Sequence, residues 1–428
     1  MSDQTIAEAI EAVWRLESTR LVAGLVRMVR DVELAEDLAQ DALVAALAQW
    51  PADGIPNKPG AWLMATAKRR AVDAFRRRER GDRAYRIVAQ EVSDRVNEDT
   101  ILAALDHVED DVLRLMFLCC HPSLTPEAQI TLTLRLVAGL TAREIARAYL
   151  TTESTVAQRL VRAKKTLAGA GAALEEPSEA ERAERLDIVL GVIYLLFNEG
   201  YAATAGPDWA RPALCAEALR VGRILAALVP DHAETRGLLA LMELQSSRLT
   251  ARVGADGEPV LLADQDRTRW DAGHLARGLR ILTQAEELTN EPGPYTLQAA
   301  IAGCHARAAS TAESDWVRIA GLYEQLARQT GSAVVEVNRA VALSMAYGPE
   351  AGLRLVDQLI DLPGLRNYHL LPSVRGDLLA RLGRHDEARV EFARAARLAS
   401  NEREQALLTE RARDPGTAPE RPDQGKIL

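Results

Sequence analysis

Apolar positions recur every three to four residues along almost the whole chain, with Ala and Leu dominant and hardly any alternation of β-branched residues. That period predicts an all-α fold. In LAEDLAQDALVAALAQW (34–50), Leu34, Leu38, Ala42 and Leu47 fall at helical spacing, and Glu36, Asp37 and Asp41 give the helix an acidic face. WLMATAKRRAVDAFRRRER (62–80) is a second helical stretch, dense in base. In TAREIARAYLTTESTVAQRLVRAKKTL (141–167), Thr141 and Glu144 have the spacing of a capping box that starts a helix, with Ile145, Ala146 and Tyr149 on its apolar side. Thr152 caps a second helix that turns Val156, Leu160 and Leu167 inward and leaves Thr155, Gln158, Arg159, Arg162 and Lys165 on the other face. Two short helices with a tight turn and a polar, basic second helix have the pattern of a helix-turn-helix. An ordinary amphipathic pair with a solvated basic face has the same pattern.

The pattern breaks at four places. Residues 87–106 are an acidic, polar connector. GAGAALEEPSEAE (169–181) mixes small residues, acids and Pro177, and DPGTAPERPD (414–423) reads as a disordered tail. GADGEP (254–259) has the Gly and Pro of a loop. Beyond 182 the helical blocks continue at Val334–Met345 and Pro349–Ile360. In RLGRHDEARVEFARAARLASN (381–401), Leu382, Gly383, Glu387, Ala388, Phe392 and Ala395 have the spacing of a tetratricopeptide-type hairpin. Such hairpins stack into a superhelix whose concave face binds proteins.

Charge changes the picture locally rather than globally. The net charge of −9 rules out a generally basic protein. Residues 1–175 hold 23 Lys/Arg against 25 Asp/Glu, and the remainder 29 against 36. Nucleic-acid binding must therefore come from patches. The strongest patch lies between Trp62 and Arg86, with nine Lys/Arg against three acids. Trp62, Phe75 and Tyr85 there can stack on unpaired bases. No apolar run reaches the length of a membrane span, no signal segment opens the chain, and four Cys lack a framework spacing. These features point to a reducing cytoplasm and away from a membrane.

The three N-terminal blocks, in this order, resemble a bacterial RNA polymerase sigma factor of the extracytoplasmic-function class, over roughly residues 5–170. AEDLAQDALVAAL resembles the helix that docks on the polymerase clamp, WLMATAKRRAVDAFRR the part that melts and reads the −10 element, and LTAREIARAYLTTESTVAQRLVRAKKTL the −35 reader. Arg69 stands where the −10 block often carries Asn, and Leu150 where the helix-turn-helix often carries Gly. The layout as a whole resembles a subgroup with a long C-terminal helical extension, of which LLFNEGYAAT (195–204) and LLADQDRTRWD (261–271) look characteristic.

The resemblance implies region 2 at 1–86, a linker at 87–106, region 4 at 107–172, a second linker at 173–181, the extension at 182–412 with its tetratricopeptide-like part at 334–412, and a tail at 413–428. It implies that Leu34, Asp37, Leu38, Gln40 and Asp41 dock on the polymerase core, whose clamp and flap regions would be the contacts. Trp62, Lys68, Arg69, Arg70, Asp73, Arg76 and Arg77 would engage the −10 element. Arg143, Ser154, Thr155, Gln158, Arg159, Arg162 and Lys165 would serve the −35 element. The expected function is promoter-specific initiation without chemistry or cofactor. The extension is expected to act as a built-in regulator that packs on residues 1–172 and binds a protein partner or ligand.

Two other classes compete. A helix-turn-helix regulator with a helical sensor domain would bind duplex DNA without polymerase, but has no use for the Trp62 block. An enzyme in the extension could use Glu199, Asp264 and Asp266, although no nucleophile or ligand set accompanies them. Cys119, Cys120 and His121 resemble a metal or redox cluster, but adjacent helical side chains diverge, so buried structural roles are expected. The run Asp264, Asp266, Arg267, Arg269, Trp270 and Asp271 is expected to be a salt-bridged structural loop. Glu199 and Tyr201 could hold a ligand or pack the extension against the DNA-binding part.

Overall fold

The computed structural model describes residues 3–78, 108–149, 151–170, 179–201, 210–254, 260, 262–399 and 402–415. The expected linker at 87–106, most of the one at 173–181, the tail from 416 onward, Tyr85 and Leu150 lie outside them. Among the described residues the secondary structure is helical, with an isolated bridge at Val253. The all-α expectation holds. Two compact units divide the chain, 1–193 and 194–428.

In the first unit, α1 (Asp3–Val29), α2 (Val32–Asp53) and α3 (Pro59–Arg78) form one packed group, and α4 (Val108–Cys119) lies against α1. The Asp31 carboxylate caps α2 by accepting from Glu33 N at 2.9 Å and Leu34 N at 3.1 Å. Ala35, Leu38, Ala39, Ala42, Ala46 and Trp50 form the buried stripe of α2. Small residues at helical spacing let the helices approach closely, while Leu38 and Trp50 supply the larger burial, about 1.5–3 kcal/mol for a full-size apolar side chain. Leu63, Ala67 and Ala71 form the matching stripe of α3.

Next come α5 (Pro126–Leu132), a π-turn at Thr133–Val137, α6 (Ala142–Ala148) and α7 (Glu153–Gly169). The π-turn is absent from the apolar periodicity. It widens one helical turn and so re-aims Arg135, between buried Leu134 and Leu136. Gly139 follows at φ +70, a left-handed position that suits Gly.

The second unit begins within α8 (Glu179–Tyr201). It continues through α9 (Pro212–Leu228), α10 (Ala233–Ser246), α11 (Ala272–Leu288), α12 (Pro294–Arg307), α13 (Trp316–Thr330), α14 (Ala333–Tyr347), α15 (Pro349–Leu359), α16 (Leu370–Arg381), α17 (His385–Leu398) and α18 (Glu402–Arg413). From α12 onward each helix packs on the next. The expected blocks 334–345 and 349–360 are α14 and α15. In the 381–401 segment Gly383 makes the turn at φ +77, and Ala388, Phe392 and Ala395 are fully buried. Gly237 is a close-approach position: a Cβ there would lie 2.3 Å from Thr296 Oγ1. No described helix is long and apolar enough to cross a membrane.

Candidate nucleic-acid interface

The helix-turn-helix forms through the local bonds its sequence implies. Thr141 N donates to Glu144 Oε2 at 2.8 Å, and Glu144 N donates back to Thr141 Oγ1 at 3.2 Å. Both arms of the capping box are made, satisfying two otherwise orphaned amides. Thr152 caps α7, its hydroxyl accepting from Thr155 N at 3.2 Å. Val156, Leu160, Ala163 and Leu167 are buried, and Ile145 and Ala146 of α6 are buried with them.

The opposite face of α7 is open. Ser154, Thr155, Gln158, Arg162 and Lys165 are exposed, as is Arg143 on α6. Arg159 is half-buried, and its Nη1 approaches Thr131 Oγ1 of α5 at 3.5 Å, the outer limit of a hydrogen bond. Val161 is 64% exposed between Gln158 and Arg162. Pattern reading passes over it, because an apolar residue there looks like a core position out of phase.

Helix α3 departs more from its sequence reading. Trp62 is half-buried, with its ring edge-to-face against buried Trp50 at 5.2 Å between centroids. Lys68 is only 9% exposed. Arg69 is exposed but bends back, donating from Nε to Ala65 O at 3.3 Å. Arg70 pairs with Asp41 of α2 at 3.0 Å, both side chains well solvated. Asp73 is exposed. The side chains of Phe75, Arg76 and Arg77 lie outside the described residues.

On α2, Asp37, Gln40 and Asp41 are exposed, Leu34 is half-buried and Leu38 buried. Leu47, inward-facing by its spacing, is 48% exposed, and Val44 is 59% exposed. Together they add an apolar margin to the acidic face. Burial, with the neighbouring Glu33, Glu36 and Asp41, pushes the Asp37 carboxyl up against the opposing field of Lys164.

Glu36 is not on that open face. It is buried, and its two oxygens meet Arg135 Nε at 2.5 Å and Lys164 Nζ at 2.6 Å. Burial pushes its carboxyl up, but Arg135 and Lys164 outweigh burial and hold it below the usual range. Arg135 also donates to Leu140 O at 3.0 Å, and Thr19 Oγ1 of α1 donates to Val137 O at 2.7 Å. Helix α2 is thus tied to the π-turn and to α7 through one carboxylate. Its partners lie 99 and 128 residues away, so no local pattern announces them.

The remaining candidates resolve into structural parts. Cys119 and Cys120 are buried, with burial pushing the Cys120 thiol up to about 12. His121 Nδ1 bonds Ser123 Oγ at 2.8 Å. The 264–271 run is a structural loop, and among the described residues capping and carbonyl bonds hold it rather than the expected salt bridges. Asp266 accepts from Thr268 N at 2.9 Å, Asp271 caps α11 at His274 N at 2.7 Å, and Arg267 Nη1 donates to His305 O at 2.6 Å. The two carboxylate bonds arise because Asp266 and Asp271 each precede a turn whose amides are free. Glu199 pairs with Arg211 at 2.6 Å, inside the extension.

Comparison with known proteins follows this division. Residues 14–81 match Sigma-70 region 2, residues 114–167 match Sigma-70, region 4, and residues 185–286 match a Family of unknown function (DUF6596). The chain is 43% identical over 391 residues to Uncharacterized protein R00370 of Rhizobium meliloti (strain 1021), covering 90% of this chain and 91% of that one. It is 28% identical over 168 residues to the Probable ECF RNA polymerase sigma factor SigI of Mycobacterium tuberculosis, covering 37% of this chain and 54% of the relative.

Proposed function

Because the chain belongs to the sigma-70-type RNA polymerase sigma factors of the extracytoplasmic-function class, in a form with a helical C-terminal extension, we propose a division of labour among its parts. The acidic face of α2 (Asp37, Gln40 and Asp41, with Val44 and Leu47 beside them) docks on the clamp of the polymerase core. The helix-turn-helix meets the flap region and places α7 in the major groove of the −35 element. Gln158 and Arg162 read base edges, with Arg143, Ser154, Thr155 and Lys165 positioned for phosphates and Arg159 for either role. Region 2 engages the −10 element through α3, with Arg69, Arg76 and Arg77 on phosphate and Trp62 at the edge of the melted strand. Lys68, Arg70 and Asp73 shape that surface. The chain does no chemistry of its own and works in the cytoplasm, where polymerase and promoter are.

The observation that carries this reading is the one-sided burial of α7: its apolar stripe is closed and its polar stripe is open. Run-off transcription with purified core polymerase on genomic fragments tests it. Discrete transcripts that depend on this chain and share an upstream motif are expected. Transcription no different from core alone would overturn the assignment.

The extension regulates initiation in this proposal, and its helical stack is required for activity. A chain ending at Gly171, checked for folding by circular dichroism, should lose transcription from a cognate promoter. Full activity with normal induction in that truncated chain would remove the regulatory role.

A further inference from the structure

Four elements of the extension meet at one buried place, and two of them bring positive charge to it. Arg248 and Arg252, just past α10, are 6% and 1% exposed. Arg267 is half-buried on the 3-10 turn Arg267–Arg269. The Arg248 and Arg267 guanidinium carbons lie 5.5 and 4.6 Å from the centre of the same Trp270 ring. Arg252 sits 3.5 Å above the Tyr201 ring at the end of α8. The fourth element is α12, where burial together with Arg248 and Arg267 pushes His305 down to about 3, so it stays neutral in the field of the cluster.

Among the described residues, two of these cations have only neutral oxygens to bond. Arg248 donates to Gln265 Oε1 and Gln245 Oε1, both at 3.3 Å. Arg267 Nη1 donates to His305 O at 2.6 Å and Ala308 O at 2.9 Å. Among the described residues no carboxylate lies within ion-pair distance of either, and Glu313 reaches Arg267 only through its field. Among the described residues, three buried donors close by have no acceptor: Tyr201 O–H, Trp270 Nε1–H and Arg267 Nη2. The same unit neutralises charge efficiently elsewhere. Glu243 is 1% exposed and meets Arg223 at 2.7 Å, His274 at 2.7 Å and Arg277 at 3.3 Å.

Buried charge is normally paired, and stacking on an indole compensates only part of its lost hydration. A cluster with spare N–H and O–H donors, in which Arg248 and Arg267 meet only neutral oxygens among the described residues, has the make-up of an anion site. A tetrahedral dianion suits it better than a lone carboxylate, because it offers more lone pairs to forked guanidinium donors. We propose that Arg248, Arg252 and Arg267, with Tyr201 and Trp270, bind a small oxyanion of the phosphate class, either free phosphate or the phosphate group of a small ester. The site lies wholly within the extension, so its test does not depend on promoter recognition.

The test is calorimetric titration of the full-length protein with inorganic phosphate and, separately, with glycerol 3-phosphate, in chloride buffer of constant ionic strength. Saturable binding of at least one probe is expected, with the tighter probe identifying free anion or ester. Arg267→Met should weaken it at least tenfold. Tyr201→Phe keeps its ring and Trp270→Phe keeps an aromatic face; each removes one donor, so they should fold normally and weaken binding several-fold. No saturable binding of either probe to the wild-type chain would overturn the proposal, as would equal affinities in the wild type, Arg267→Met and Trp270→Phe.

Discussion

Helices α3 and α7 are both basic, amphipathic and placed in modules that meet DNA, yet they use their charge differently. In α7 the cap, the turn and the buried stripe satisfy the helix, and Gln158, Arg162 and Lys165 are left exposed. In α3 much of the described charge is turned inward or sideways. Lys68 is buried, Arg70 is paired to Asp41, and Arg69 folds back on its own helix. The lesson is that the density of Lys and Arg in a segment does not measure the cationic surface it offers. That surface depends on which residues fall on the buried stripe and which find carboxylates on a neighbouring helix.

The largest effect is expected where the two modules share a charge. Glu36→Gln removes the carboxylate between Arg135 and Lys164 and leaves two half-buried cations facing a neutral amide. A loss of about 3 kcal/mol is expected, the lower end for breaking a buried pair, read from the denaturant midpoint of the N-terminal unit. The pH dependence has a fixed sign. The folded carboxyl is held below the ordinary carboxylate range, so its contribution is fully present above that range and is lost as pH falls through the lower folded value. The difference between wild type and Glu36→Gln should therefore shrink on acidification. A difference that is constant from neutral pH down to acid unfolding would remove Glu36 from the ledger of charge coupling.

The next effect sharpens the reading of α7. Gln158→Ala should cost roughly 1–3 kcal/mol on the cognate −35 site and relax preference at one base pair, as for loss of a direct base contact. Arg159, half-turned toward Thr131, should give a smaller and less sequence-dependent loss. Equal, sequence-independent losses in both variants would mean that α7 does not read bases. Thr152→Ala deletes the cap of the same helix and leaves Gln158, Arg162 and Lys165 in place, and should lower stability by about 1 kcal/mol. Thermal unfolding that matches wild type would show the cap to be redundant.

Two smaller effects separate α7 from α3. Lys165→Ala should weaken holoenzyme binding evenly across promoters and lower the salt slope by about 1. Arg70→Ala breaks an exposed pair and should change stability by no more than about 0.5 kcal/mol. A stability loss several times larger in Arg70→Ala would mean that the Asp41 pair holds α3 in place, and the contrast between the helices would narrow.

The sequence by itself determined what depends on neighbours within a few residues: the helical period, the capping box at Thr141 and Glu144, the Thr152 cap, the inward Val156, Leu160 and Leu167, and the hairpin around Gly383. These are interactions across one or two turns, so spacing specifies them. Block order added the family. Tertiary structure alone decided which charges are free. The pairing of Glu36 with Arg135 and Lys164, the widened turn at Thr133–Val137, the burial of Lys68, the outward Val44, Leu47 and Val161, and the meeting of Arg248, Arg252 and Arg267 all join residues far apart in sequence or out of phase with the period. A Lys in a basic run is written the same way whether it meets a phosphate, a carboxylate or the interior. The helix packed against it makes that choice, because desolvation and pairing are properties of a place in the fold rather than of the residue type.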